Sequence, residues 1–347
     1  MSIAPNDTIA ALSAYKPGPR RPDISLFLDG NEGRTPADFH TRLSALRDLP
    51  ASQYPNTLAL ERVFAERLGV APDRVLVTAG ADGAIDRVCR SVLAPGRNAL
   101  MAAPTFVMLA RYIALAGGTL RTVPWLRQAY PLEAVIDSAD RATALVTVVS
   151  PQNPTGGVVD GEALRTLRER IPQALLLVDL AYGELADVDL TEIALSLPDT
   201  VVLRTLSKAW GLAGLRIGYA AGPANIIDWL RRVGHPYAVA APSIALAMAQ
   251  LGDEGHMRAY VARVRKERAA LYQLLDRLEC QPLPSQGNFV LCEPKDPLPL
   301  VAGLAERGIA VRSWPGLPEL SAFVRITCPG DGSDMARLCG ALEEVLG

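Results

Sequence analysis

The stretch Thr205-Leu-Ser-Lys208-Ala-Trp-Gly-Leu-Ala-Gly-Leu-Arg216-Ile-Gly-Tyr219 follows directly on the apolar run 201–203, which places Lys208 at the end of a strand. Hydroxyls at Thr205 and Ser207, with the guanidinium of Arg216 eight residues beyond the lysine, suit a phosphate dianion: short donors close in and a bidentate cation further out. Gly211, Gly214 and Gly218 permit close backbone approach. A lone Ser-Lys pair is ordinarily part of a solvated loop. The whole string reverses that reading, because it brings an amine and a phosphate cup together.

Outward from this strand, short apolar runs alternate with longer amphipathic stretches: 75–77 then 81–92, 99–102 then 107–116, 144–149 then 161–170, with further apolar runs at 174–178 and 201–203. Buried strands separated by helices predict a mainly parallel sheet covered on both faces, with sites at the carboxyl ends of its strands. A long helical pattern over 256–279 opens a second unit, read as strand 289–291, helix 298–306, strand 322–327 and helix 334–345. The proline-rich first thirty residues, with Pro5, Pro17, Pro19 and Pro22, read as an extended arm that needs another surface to lie on. The expected division is an arm over 1–35, a large domain over 36–250 and a smaller C-terminal α/β domain over 251–347.

Composition narrows the function classes. The 347 residues are 49% hydrophobic and 21% charged, the balance of a globular chain with a substantial core. With 35 basic and 37 acidic side chains the net charge is -2, so no overall field favours nucleic acid or an anionic membrane. The first fifteen residues lack a basic segment followed by an apolar run, and no stretch approaches the roughly 20 apolar residues of a membrane span. The five cysteines are scattered without metal-ligand spacing, and His40, His235 and His256 are isolated, which predicts no metal site and structural or surface roles for the histidines. The expected location is the cytoplasm.

Two more motifs end strands. Ser150-Pro-Gln-Asn153-Pro-Thr-Gly156 follows one, and Val178-Asp179-Leu-Ala-Tyr182 ends the next. Alone, the first is a common turn and Asp179 could cap a helix. Together with Lys208 they match the needs of pyridoxal phosphate: an amine for imine formation, a carboxylate that keeps the ring nitrogen protonated, and donors near the ring hydroxyl.

These residues resemble the fold-type I pyridoxal-phosphate enzymes, and among them the histidinol-phosphate aminotransferase branch, over nearly the whole chain. The resemblance implies the aspartate-aminotransferase-like α/β fold and a cofactor, pyridoxal 5′-phosphate, joined to Lys208, which also moves the substrate proton. It makes Asp179 the partner of the ring nitrogen, Asn153 and Tyr182 the groups on the ring oxygen, and Thr205, Ser207 and Arg216 the phosphate cup. The turn Thr78-Ala-Gly-Ala81-Asp82-Gly would place the N–H groups of Ala81 and Asp82 on the phosphate at a helix start. Phe106, in Pro104-Thr-Phe106, matches the ring that stacks on the cofactor. Tyr54, in Ser52-Gln-Tyr54-Pro55, matches a tyrosine that reaches the partner's phosphate, so a homodimer is implied. Arg325, in Phe323-Val-Arg325-Ile-Thr327, matches the clamp on a substrate α-carboxylate.

Further matches are the arm segment Ala14-Tyr15-Lys-Pro-Gly18, the turn Leu28-Asp-Gly-Asn31-Glu32 and Gln286-Gly-Asn288-Phe289. They add Tyr15 and Asn31 to the substrate residues. Arg312 falls where the branch places an arginine on the substrate phosphate, with Arg20 as its helper. The implied reaction, one of histidine biosynthesis, moves an amino group between histidinol phosphate or a related donor and 2-oxoglutarate. The chain departs from the branch at Leu180, Gly33, Phe106 and Leu109, where relatives carry glutamate, proline, a hydroxyl-bearing aromatic and a substrate-side tyrosine. The same scaffold serves aromatic aminotransferases, decarboxylases and arginine oxidases, and, outside enzymes, effector-sensing domains.

Overall fold

The computed structural model describes residues 3–14 and 21–347. Its strands are β1 (Leu26–Leu28), β2 (Val75–Ala79), β3 (Asn98–Ala103), β4 (Thr119–Pro124), β5 (Thr143–Val149), β6 (Leu175–Asp179), β7 (Thr200–Thr205), β8 (Ile217–Ala221), β9 (Phe289–Cys292), β10 (Ile309–Ser313) and β11 (Val324–Thr327). A seven-stranded sheet runs in the order β2-β8-β7-β6-β5-β3-β4. All its pairings are parallel except those of β8, which is antiparallel to both β2 and β7. A four-stranded sheet has the order β1-β10-β11-β9. This is the aspartate-aminotransferase-like α/β fold.

Alternation along the central strands explains why the large sheet is covered twice. Leu175, Leu177, Val201 and Leu203 pack with Ile85 and Val88 of the helix Gly80–Val92 on one face. Leu176, Val178 and Val202 pack with Leu164 and Leu167 of the helix Gly161–Arg170 on the other. Strands buried on both sides read as continuous apolar runs, so they were visible in the sequence. The second core lies under the smaller sheet, where Phe289, Val324 and Ile326 meet Leu271, Leu274 and Leu275 of the helix Gly255–Arg277.

Four strands escape the apolar-run reading. β4 is a sheet edge and only its Val123 is buried. β8 is hidden inside the lysine motif, where Ile217-Gly-Tyr219 reads as a loop. β10 is half-buried, and β1 has three residues. Strand 322–327 shortens to Val324–Thr327 because Phe323 still belongs to the preceding turn, its N–H donating to Leu320 O at 3.0 Å. The arm is not wholly extended. Asn6 caps a short helix, Asp7–Ala11, by accepting from the Ile9 N–H at 2.9 Å, and β1 lies parallel to β10. Its surface includes the helix Val107–Leu115, whose Arg111 donates to Ser13 O at 2.6 Å.

Candidate active site

Lys208 leaves the carboxyl end of β7 in a loop held from both sides. Gly33 N–H donates to Ser207 O at 3.3 Å, and a Cβ on Gly33 would fall 1.7 Å from Lys208 O. Gly211, at φ +68°, lies as close to Arg34, where a Cβ would meet its carbonyl at 1.9 Å. The two backbones interlock where no side chain fits, which gives Gly33 a steric role. The Lys208 ammonium donates to Gly30 O at 3.2 Å and stands 5.5 Å from the centre of the Tyr182 ring.

Asp179 is the last residue of β6 and is only 4% exposed. One carboxylate oxygen accepts from Ala181 N–H at 3.0 Å. Burial pushes its pKa up to about 6; Asp82 adds to the rise, while the Ala181 N–H and Lys208 oppose it. Next to it, Tyr182 is buried edge-on against Phe289 with ring centres 5.4 Å apart, and its hydroxyl accepts from Asn31 Nδ2 at 3.0 Å. Asn153 follows β5, and its Oδ1 accepts from Arg325 of β11. Gln152, a residue the motif reading passed over, ties this loop to the Pro104–Phe106 turn by donating to Pro104 O at 2.6 Å.

The anion end is built at the start of the helix Gly80–Val92. Thr205 Oγ1 donates to Ser207 Oγ at 2.9 Å and accepts from Ser207 N–H at 3.1 Å. Arg216, at φ +54°, turns its guanidinium back over Gly80, where a Cβ would lie 2.5 Å from Nη2. Gly218 is equally constrained, its Cβ position falling 2.4 Å from Gly80 C and 2.6 Å from Ala81 N. The N–H groups of Ala81 and Asp82 open this helix, so they have no carbonyl in the preceding turn to bond. Asp82 pairs with Arg216 at 3.1 Å, and its other oxygen is buried without a partner among the described residues. Burial raises the Asp82 pKa, against the pull of Arg216 and Lys208. Hydroxyls, first-turn N–H groups and an arginine, brought together by the close approach at Gly80 and Gly218, suit a phosphate.

On the smaller sheet Arg312 and Arg325 are direct partners in the antiparallel register of β10 and β11. Both guanidiniums lie near the Trp314 ring, at 5.7 and 5.6 Å. Arg325 is buried and also donates to Asp29 O. Trp314 went unseen because only the strand register brings it beside both arginines.

The remaining expected residues differ widely in burial. Phe106 is half-buried beside the large-sheet core, and Leu109 lies wholly within that core. Tyr54 is 78% exposed and stacks on Tyr237, with ring centres 4.4 Å apart. Asn31 is 1% exposed with its amide engaged on both sides. Tyr15 and Arg20 lie outside the described residues. Among the described residues no helix is long and apolar enough to cross a membrane.

Comparison with known proteins agrees with this geometry. The family model for aminotransferase class I and II matches residues 40–342. Histidinol-phosphate aminotransferase 1 of Thiobacillus denitrificans is 33% identical, covering 97% of this chain and 92% of its own. Histidinol-phosphate aminotransferase 2 of Carboxydothermus hydrogenoformans is 31% identical over 84% of this chain and 83% of its own. The crystal structure of histidinol-phosphate aminotransferase from Sinorhizobium meliloti in complex with pyridoxal-5′-phosphate superposes with TM-score 0.88 at 25% identity, covering 98% of this chain and 97% of that one. The chain therefore belongs to the class I and II aminotransferases, pyridoxal-phosphate enzymes that pass an amino group between an amino donor and a keto acid, and within them it is histidinol-phosphate-aminotransferase-like.

Proposed function

We propose that the donor is a phosphate-bearing amine of the histidinol phosphate kind and the acceptor 2-oxoglutarate. The observation that carries this reading is the facing pair Arg312 and Arg325. Like charges directly opposite on neighbouring strands destabilise a sheet. Two anionic groups, a carboxylate at Arg325 and a phosphate or second carboxylate at Arg312, would relieve that repulsion. The names of the relatives at 31–33% identity point the same way.

The residues fit the cofactor. The donor set carries the fit: the Thr205 and Ser207 hydroxyls, the first-turn N–H groups of Ala81 and Asp82 and the Arg216 guanidinium are all donors to an anion, while Asp179 offers a buried carboxylate for the ring nitrogen. Thr205, Ser207, Arg216 and the Ala81 and Asp82 N–H groups would hold the phosphate, Asn153 and Tyr182 the ring oxygen, and Phe106 a ring face. Bound, pyridoxal phosphate supplies an electron sink for the substrate α-carbon. Lys208 would hold the cofactor through its amine and would serve as the general base that takes the proton from the substrate α-carbon. Arg325 orients an incoming carboxylate, with Asn153 bracing the guanidinium. Arg312, helped by Arg20, reads the donor's phosphate, and Tyr15 is a further substrate contact.

A charge-assisted contact is worth about 1.5–3 kcal/mol, so Arg312→Ala should weaken histidinol phosphate by roughly ten- to a hundredfold while sparing free amines. Single-turnover kcat/KM for histidinol phosphate, histidinol, phenylalanine and arginine, in wild type and variant, measures this. If phenylalanine or arginine is preferred by wild type and the ranking is unmoved by the substitution, the phosphate reading fails.

The same reading includes a homodimer whose sites are each completed by Tyr54 of the partner. Support comes from the exposure of Tyr54, Leu58 and Tyr237, with Tyr54 stacked on Tyr237 and Leu58 opening the helix Leu58–Leu68. Lys208→Ala and Tyr54→Phe chains, mixed, should form heterodimers in which one site carries neither change. Activity should rise with the heterodimer fraction. A fully active monomer at micromolar concentration would refute the shared site.

A further inference from the structure

Asn31 has both ends of its amide committed. Thr327 Oγ1 donates to Asn31 Oδ1 at 2.8 Å, and Asn31 Nδ2 donates to the Tyr182 hydroxyl at 3.0 Å. Its backbone is fixed as well, because Asn31 O accepts from Asn288 Nδ2 at 3.2 Å and the residue sits at φ +52°, a left-handed conformation that asparagine and aspartate tolerate. The three side chains are all buried. They come from three places: the turn after β1, the last residue of β11, and the loop after β6.

A phenol has one proton and accepts through its lone pairs. In this orientation of the amide, with Thr327 Oγ1 donating to its oxygen, Asn31 Nδ2 occupies the hydroxyl as a donor and the Tyr182 proton points elsewhere. We propose that Asn31, oriented by Thr327, is a positioning residue that fixes Tyr182 as a hydrogen-bond donor to the cofactor's ring oxygen. This assigns Asn31 a task other than substrate contact. It rests on the placement of Tyr182 at that oxygen.

The consequence reaches Lys208. A donor on the ring oxygen draws off negative charge, so the proton on the nearby Lys208 nitrogen is held less tightly and leaves at lower pH. The nitrogen itself donates to Gly30 O, and the charged groups acting on it are Asp82 and Asp179, with Arg216 beside Asp82; the hydrogen bonds of Asn31 go instead to Tyr182, Thr327 and Asn288.

The test is the pH midpoint of the visible absorption change of the cofactor-loaded protein, read without substrate. Asn31→Asp keeps shape and backbone but can only accept, so the Tyr182 proton turns to it and the midpoint should rise by about one pH unit, a tenfold change in proton affinity. Tyr182→Phe should raise it similarly. A new charge at position 31 would also act through space, and the double variant separates the routes: through Tyr182 the double variant matches Tyr182→Phe alone, whereas through space the two shifts add. Thr327→Val, which is neutral, should give a smaller rise, and Thr327→Ser should restore the wild-type midpoint. Additive shifts, or an unmoved midpoint in both Asn31→Asp and Thr327→Val while Tyr182→Phe moves it, overturn the role of Asn31 and leave Tyr182 at the ring oxygen. An unmoved midpoint in Tyr182→Phe overturns both.

Discussion

Lys208→Ala should lower single-turnover transamination by at least about 10⁴-fold while the protein still takes up pyridoxal phosphate. The two effects separate because the lysine and the phosphate site are built from different parts. Lys208 makes one hydrogen bond, to Gly30 O, and lies over the Tyr182 ring. The anion end is assembled from Thr205, Ser207, Arg216 and the first turn of the helix Gly80–Val92, and none of these is supported by the lysine side chain. Loss of a half-buried lysine that has no ion pair among the described residues should move folding stability by less than about 1 kcal/mol. Borohydride should fix the cofactor to wild-type protein at Lys208 and leave it dialysable from the variant. A peptide map with the adduct at Lys266 or Lys295, or a variant that keeps its turnover, would remove Lys208 from the reaction.

The parts of this site that were legible share one property: each lies at a strand's carboxyl end inside a continuous motif. Lys208, Asp179, Asn153 and Tyr182 follow β7, β6 and β5, which are buried on both faces and therefore stand out as apolar runs. What was not legible depends on pairing register or on backbone approach. The facing of Arg312 and Arg325 beside Trp314 requires the register of β10, a half-buried strand whose apolar residues, 309–311, end before the arginine. The interlock of Gly33 with the Lys208 loop joins positions far apart in sequence, and a glycine gives no hint of what it touches. Arg204 is a similar case. Nothing in the sequence marks it, yet it is buried behind the lysine strand in ion pairs with Glu184 at 2.9 Å and Asp189 at 2.8 Å. Leu109 stands where the resemblance puts a substrate-side tyrosine, and it is buried inside the large-sheet core, where it packs.

Asp179→Asn should slow the chemical step by roughly 10³-fold, the scale on which a preorganised charge-stabilising contact acts. The substitution keeps an oxygen to accept from the Ala181 N–H, so no buried donor is orphaned. What it removes is the charge that keeps the ring nitrogen protonated. The pH dependence gives an independent test, and its sign follows from burial. The Asp179 pKa is raised to about 6 in the folded protein before cofactor binds, above the ordinary carboxylate value. The folded state therefore binds more protons than the unfolded one between roughly pH 4 and 6, and stability of the free protein from this group falls as pH rises through that window. A bound, protonated ring nitrogen reverses the preference, because it favours the ionised carboxylate. The gain in Tm on adding pyridoxal phosphate should consequently grow from pH 5 to pH 7 in wild type. The cofactor's phosphate also ionises near about pH 6, but it does so equally with both proteins. The wild-type gain minus the Asp179→Asn gain therefore isolates the carboxylate. A difference that is flat across this range, together with unchanged single-turnover rates, would mean that Asp179 serves only to order the turn at Ala181.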